Sequence, residues 1–69
     1  MSTILIIDHE PSVCKQLANL FSGQGFQAIT VQNGVEAARL MRHSAPNLIL
    51  VDQEIPLSGL KTAQIIRLN

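Results

Sequence analysis

Four of the five acidic residues lie in two short groups, and each group follows a run of apolar residues. Asp8 and Glu10 come after TILII, and Asp52 and Glu54 come after NLILV. If the two runs are neighbouring parallel strands, about 4.8 Å apart, Asp8 and Asp52 converge at the carboxyl edge of one sheet. Close carboxylates repel each other unless a cation neutralises them. The pattern predicts a site for a hard divalent ion such as Mg²⁺, where a carboxylate can also attack phosphorus.

The elements that would position these acids follow from the apolar patterns. Residues 3–7 and 47–51 are continuous apolar runs, typical of strands buried on both faces of a parallel sheet, and residues 26–31 predict a further strand. Between the strands, apolar residues at helical spacing predict helices over residues 13–21 and 35–41.

The last segment also carries a helical pattern. After the loop that contains Pro56, the spacing of Leu60, Ala63 and Ile66 (or Ile65) predicts a third helix that reaches Asn69. The predicted order is βαβαβα, and such alternation indicates an α/β fold with a parallel sheet and right-handed crossovers.

Composition excludes several classes of function. The chain has 69 residues, enough for one domain. Five basic residues balance five acidic ones, so no surface for nucleic acid or an anionic membrane is expected. No apolar run approaches the ~20 residues of a membrane span, and no secretory signal precedes the first strand. Cys14 is the only cysteine, which excludes an internal disulfide framework. A cytoplasmic location is predicted.

Four segments in this order resemble the receiver domain of two-component response regulators, and the likeness runs through all 69 residues. The segments are ILIIDHEPSV, TVQNGVEAARLM, PNLILVD and EIPLSGL. The resemblance implies a flavodoxin-like, CheY-like parallel sheet with the strand order 2-1-3. It also implies that residues 1–69 form a receiver-like domain without the C-terminal strands and helices of the full fold.

The resemblance assigns roles to particular residues. Asp52 corresponds to the aspartate that accepts a phosphoryl group from a histidine kinase or a phosphotransfer protein. Asp8, Asp52 and the backbone carbonyl of Glu54 correspond to the residues that bind Mg²⁺. The implied function is an Asp-phosphorylated switch in phosphorelay signalling, not an enzyme.

Three departures from the family pattern keep alternatives open. His9 replaces a metal-binding acid and should weaken Mg²⁺ binding, although an imidazole beside Asp8 and Asp52 would suit a transition metal. The loop after Asp52 is one residue shorter than usual, and the Ser/Thr and Lys of later strands have no counterpart here. The chain could therefore be a degenerate, non-phosphorylated receiver that serves as an interaction or dimerisation module. It could also be a fragment or an engineered half-domain.

The predicted strand order leaves the third strand at the edge of the sheet. An apolar edge strand is a template for pairing with another chain. The sequence therefore predicts a homo-oligomer formed through the exposed edge of strand three, by edge pairing or by exchange of elements between two copies.

Overall fold

The computed structural model describes residues 2–57, 60 and 64–68, and within them one parallel sheet carries a helix on each face. The strands lie in the order β2-β1-β3-β4. The elements in chain order are β1 (Thr3–Ile7), α1 (Pro11–Ser22), β2 (Gln27–Val31), α2 (Gly34–Met41), β3 (Leu48–Asp52) and β4 (Ile65–Leu68). The predicted α/β class, the flavodoxin-like sheet and the order 2-1-3 of the first three strands are confirmed.

Strand β1 lies in the interior of the sheet and is covered on both faces, which is why its apolar run is continuous. Successive side chains point to opposite faces. Ile4 and Ile6 therefore pack with α1, and Leu5 and Ile7 pack with α2. All four side chains are fully buried. The two helices thus enclose the strand that leads directly into Asp8.

Helix α2 begins with a side-chain cap. Asn33 Oδ1 accepts a hydrogen bond of 2.8 Å from the backbone N–H of Glu36, and the Asn33 amide donates to the Glu36 carboxylate at 3.2 Å. The first of these bonds satisfies one of the backbone donors that a helix leaves unpaired in its first turn. The chain therefore leaves β2 and enters α2 within two residues, which holds α2 close to the sheet.

The predicted third helix is wrong over residues 65–68, which form strand β4 parallel to β3. Predicted helix residues 61–63 and 69 lie outside the described part of the chain. The physical reason is the backbone of β3. Ile49 N–H donates to Gln64 O at 3.0 Å and Gln53 N–H donates to Leu68 O at 3.2 Å, so β4 satisfies groups that a helix would leave unpaired.

The position of β4 also corrects the predicted route to a homo-oligomer. Strand β3 pairs with β1 on one side and with β4 on the other, so the edge of strand three is not exposed. The outer strands of the described sheet are β2 and β4. Neither described helix is long and apolar enough to cross a membrane.

The cap of α2 can be tested by removing the Asn33 side chain. We expect Asn33→Ala to lower the free energy of unfolding by about 1 kcal/mol, because the Glu36 N–H loses its acceptor. Urea denaturation followed by circular dichroism measures this change. The control is Gln32→Ala, a neighbouring exposed position, which should change stability by less than about 0.5 kcal/mol. Equal effects of the two substitutions would contradict the capping role.

Candidate functional site

The pairing of β1 with β3 brings the two predicted site carboxylates together. Ile7 lies opposite Val51, so Asp8 and Asp52 are the next residues on two adjacent parallel strands. One ligand atom each from Asp8, His9 and Asp52 lies within 4.8 Å of the other two. We call these three residues the carboxylate–imidazole cluster. It lies at the carboxyl edge of the sheet, where α/β folds bind ligands.

Asp8 is the buried member of the cluster, with 8% of its side chain exposed. Its Oδ1 accepts a hydrogen bond of 2.9 Å from the backbone N–H of Glu10. Its own backbone N–H donates to Val31 O at 3.1 Å, which extends the pairing of β1 with β2 by one residue. Backbone contacts on both sides therefore fix this carboxylate at the base of the site.

Asp52 is the more accessible carboxylate, with 20% of its side chain exposed. Its Oδ1 accepts a hydrogen bond of 3.1 Å from the backbone N–H of Glu54, and its carbonyl accepts one of 3.0 Å from Ile55 N–H. The structure therefore connects Glu54 to Asp52 through the Glu54 backbone N–H. The carboxylate of Glu54 is not part of the cluster found among the described residues.

His9 contacts the residue predicted to accept phosphate. Its Nδ1 lies 3.0 Å from Asp52 Oδ2 and 3.9 Å from Asp8 Oδ1, while 55% of its side chain is exposed. The sequence marked His9 as a departure from the family pattern that could join a transition-metal site with Asp8 and Asp52, and the structure brings these three residues together. The place of His9 directly after Asp8, on the loop that leaves the same sheet edge, was the available signal.

The donor atoms of the cluster fit a divalent cation, but they do not all fit Mg²⁺. Carboxylate oxygens from Asp8 and Asp52 are the hard ligands that Mg²⁺ takes. The imidazole nitrogen of His9 is a donor that transition metals accept more readily. Two of the three donors therefore match the predicted magnesium site, and the third favours a different ion.

Cys14 contacts the backbone next to the cluster. Its buried Sγ lies 3.3 Å from the carbonyl oxygen of Asp8 and 3.7 Å from that of Val31, so the thiol joins α1 to the ends of β1 and β2. Burial raises the pKa of this thiol, and the neighbouring Asp8 charge also raises the pKa. The sequence predicted a small buried residue at this position, which is confirmed, but not its polar contacts.

The loop after Asp52 passes close to the start of α2. A Cβ atom on Gly34 would lie 3.1 Å from the carbonyl oxygen of Pro56, which is tighter than an ordinary van der Waals contact. The absence of a side chain at Gly34 therefore allows the approach. The sequence predicts that this loop is one residue shorter than usual in the family. Residues 53–57 of the loop are described, and residues 58 and 59 lie outside the described part of the chain.

Comparison with known proteins identifies the family. The model of the response regulator receiver domain matches residues 4–69 of this chain. The chain belongs to the receiver domain family. This assignment confirms the resemblance carried by the four segments that surround Asp8, Asn33, Asp52 and Pro56. Receiver domains are signalling modules of two-component systems, and they generally bind Mg²⁺.

Several curated response regulators contain a region similar to this receiver domain. The DNA-binding response regulator MtrA of Mycolicibacterium smegmatis is 29% identical over 65 residues, which cover 93% of this chain and 28% of that protein. The polar-differentiation response regulator DivK of Brucella anthropi is 30% identical over 66 residues, covering 94% of this chain and 54% of that protein. The transcriptional regulatory protein KdpE of Mycobacterium tuberculosis is 31% identical over 61 residues, covering 87% of this chain and 27% of that protein. The chain thus spans between about a quarter and about half of the length of these relatives.

The raised pKa of Cys14 predicts a loss of stability at alkaline pH. The pKa of the thiol is higher in the folded chain than in the unfolded chain. The contribution of this thiol to the free energy of unfolding is therefore fully present at pH values below the unfolded pKa. It is lost as pH rises towards the folded pKa. Urea unfolding between about pH 7 and about pH 10, a range that spans the ordinary thiol pKa of about 8.5, measures this loss.

Cys14→Ala is the control, because it removes the titrating group while other ionisable groups stay the same. The free energy of unfolding of the unsubstituted chain should fall relative to that of Cys14→Ala as the pH rises. Parallel pH profiles for the two chains would contradict the shift.

Proposed function

We propose that this receiver domain acts in a phosphorelay, in which Asp52 accepts a phosphoryl group from a histidine kinase or a phosphotransfer protein. The observation that carries the proposal is the pairing of a partly exposed carboxylate, Asp52, with a buried one, Asp8, at the carboxyl edge of the sheet. Receiver domains interact with histidine kinases or phosphotransfer proteins, which makes these proteins the expected donors.

The hydrogen bonds of Asp52 suggest which of its oxygens would react. Oδ1 accepts a hydrogen bond from the N–H of Glu54 and is held in place, whereas Oδ2 contacts the exposed imidazole of His9. Oδ2 would attack the phosphorus of a phosphohistidine, forming the O–P bond as the N–P bond breaks, and the donor imidazole would leave with the electron pair. His9 must turn away from Oδ2 before this attack, and its exposure leaves room for the turn.

A divalent cation bound beside Asp52 would neutralise negative charge on the transferring phosphoryl group. Asp8, Asp52 and the backbone carbonyl of Glu54 are the residues we propose to hold it. Asp8 suits this role because its carboxylate is fixed by the N–H of Glu10 and lies beside Asp52. The incoming phosphoryl group would then meet a cation instead of two bare carboxylates, whose charges would repel it.

A second candidate function rests on the contact between His9 and Asp52. The imidazole nitrogen lies 3.0 Å from Asp52 Oδ2. It therefore contacts the oxygen that would attack phosphorus in phosphoryl transfer. If this contact persists in solution, the domain is a receiver that is not phosphorylated and acts as an interaction or dimerisation module.

Intact mass spectrometry after incubation with a small acyl-phosphate donor separates the two candidates. We expect a gain of one phosphoryl group that depends on Mg²⁺ and is lost in Asp52→Asn. Glu36→Gln is the control, because it removes a carboxylate on α2 remote from the cluster and should retain the gain. No gain in a sample shown by circular dichroism to be folded would contradict the phosphoacceptor role and favour the interaction module.

We also propose that the domain self-associates, with β4 as the pairing edge. Ile65 and Ile66 on this outer strand are 37% and 43% exposed, and outer strands offer unpaired backbone groups to other chains. Size-exclusion chromatography with light scattering should show a dimer or larger species at micromolar concentration. Ile66→Lys should shift the protein towards the monomer, because a charge on an edge strand opposes pairing. A wild-type protein that is only monomeric at this concentration would contradict the proposal.

A further inference from the structure

The imidazole of His9 lies close to both carboxylates of the cluster. Nδ1 is 3.0 Å from Asp52 Oδ2 and 3.9 Å from Asp8 Oδ1. Two donors of a tetrahedral site whose metal–ligand bonds are about 2.1 Å long lie about 3.4 Å apart. The ligand atoms of the cluster all lie within 4.8 Å of one another, so they need to approach by up to about 1.4 Å to share one ion.

The buried carboxylate of Asp8 is a second, independent observation that points to a cation. Only 8% of this side chain is exposed, yet among the described residues only its Oδ1 receives a hydrogen bond, from Glu10 N–H. Oδ2 of Asp8 has no donor in that part of the chain. A buried carboxylate oxygen without a partner is costly, and a bound ion is one of the few groups that can satisfy it.

We propose that Asp8, His9 and Asp52 bind a divalent transition-metal ion, through two carboxylate oxygens and Nδ1 of His9, in preference to Mg²⁺. Mg²⁺ requires near-octahedral oxygen coordination and is a poor partner for imidazole nitrogen. Zn²⁺ and related ions accept imidazole and carboxylate together. The inference deepens the proposed function and rests on it, because the same pair of carboxylates would hold the ion during phosphoryl transfer.

The position of His9 explains why it can serve as a ligand without rearrangement of the fold. It directly follows Asp8, and 55% of its side chain is exposed, so the imidazole can adjust around its side-chain bonds while β1 stays in place. Asp8 and Asp52 are both held at Oδ1 by backbone N–H groups. Two fixed carboxylates and one adjustable imidazole match the contraction that metal binding requires.

Titration of the whole chain with Zn²⁺ alone and with Mg²⁺ alone, followed by ¹H–¹⁵N NMR, tests the inference without any phosphoryl donor. We expect Zn²⁺ to bind more tightly than Mg²⁺ and to shift the signals of residues 8, 9 and 52.

His9→Ala should weaken Zn²⁺ binding by about 10-fold or more, since even partners of metal ligands contribute about 10- to 100-fold. His9→Asp should lower the ratio of Zn²⁺ to Mg²⁺ affinity by about 10-fold, because it replaces nitrogen with oxygen. His43→Ala is the matched control, because this exposed histidine lies outside the cluster and its loss should leave Zn²⁺ affinity unchanged.

Several outcomes would overturn the inference. They are equal Zn²⁺ affinity in the unsubstituted chain and His9→Ala, Mg²⁺ binding as tight as Zn²⁺ binding, or no binding of Zn²⁺ by the folded chain. The comparison of the two ions in the unsubstituted chain is decisive even if a His9 variant is unstable. Zn²⁺ binding by a chain that gains no phosphoryl group would support this inference while removing the proposed function. Phosphoryl transfer in a chain that prefers Mg²⁺ would do the reverse.

Discussion

The parallel pairing of β1 with β3 is the constraint on which the rest of the structure depends. Its register sets Ile7 opposite Val51, and therefore sets Asp8 beside Asp52. Both strands are buried on both faces, so a shift by one residue would send each apolar side chain to the wrong helix. The same packing that stabilises the core thus decides which carboxylates meet at the edge of the sheet.

The two carboxylates experience different surroundings although they occupy equivalent places on adjacent strands. Asp8 lies over Cys14 and close to α1, whereas Asp52 lies beside an exposed loop. Each has one oxygen held by the backbone N–H of the residue two positions later. This repeated local geometry orients both groups while leaving one oxygen on each for other partners. Asp8 is therefore a fixed, buried carboxylate beside the more exposed carboxylate of Asp52.

The sequence predicted the part of the structure that depends on continuous apolar runs and on the acids that follow them. Strands β1 and β3 and the convergence of Asp8 with Asp52 belong to this part. Strand β4 was not predictable, because Ile65 and Ile66 fit both a helical stripe and a strand, and the unpaired backbone of β3 decides between them. The sequence left the place of His9 beside Asp52 as an alternative, because this contact depends on the path of a loop and on a side-chain rotamer, which no periodic pattern encodes.

The close approach of Pro56 to Gly34 brings the loop after Asp52 into contact with the start of α2. A side chain at position 34 would push this loop and the helix apart. Asn33 caps the same turn, and Val35 next to it is largely exposed. The loop that follows Asp52 is thereby in contact with an exposed surface of the molecule.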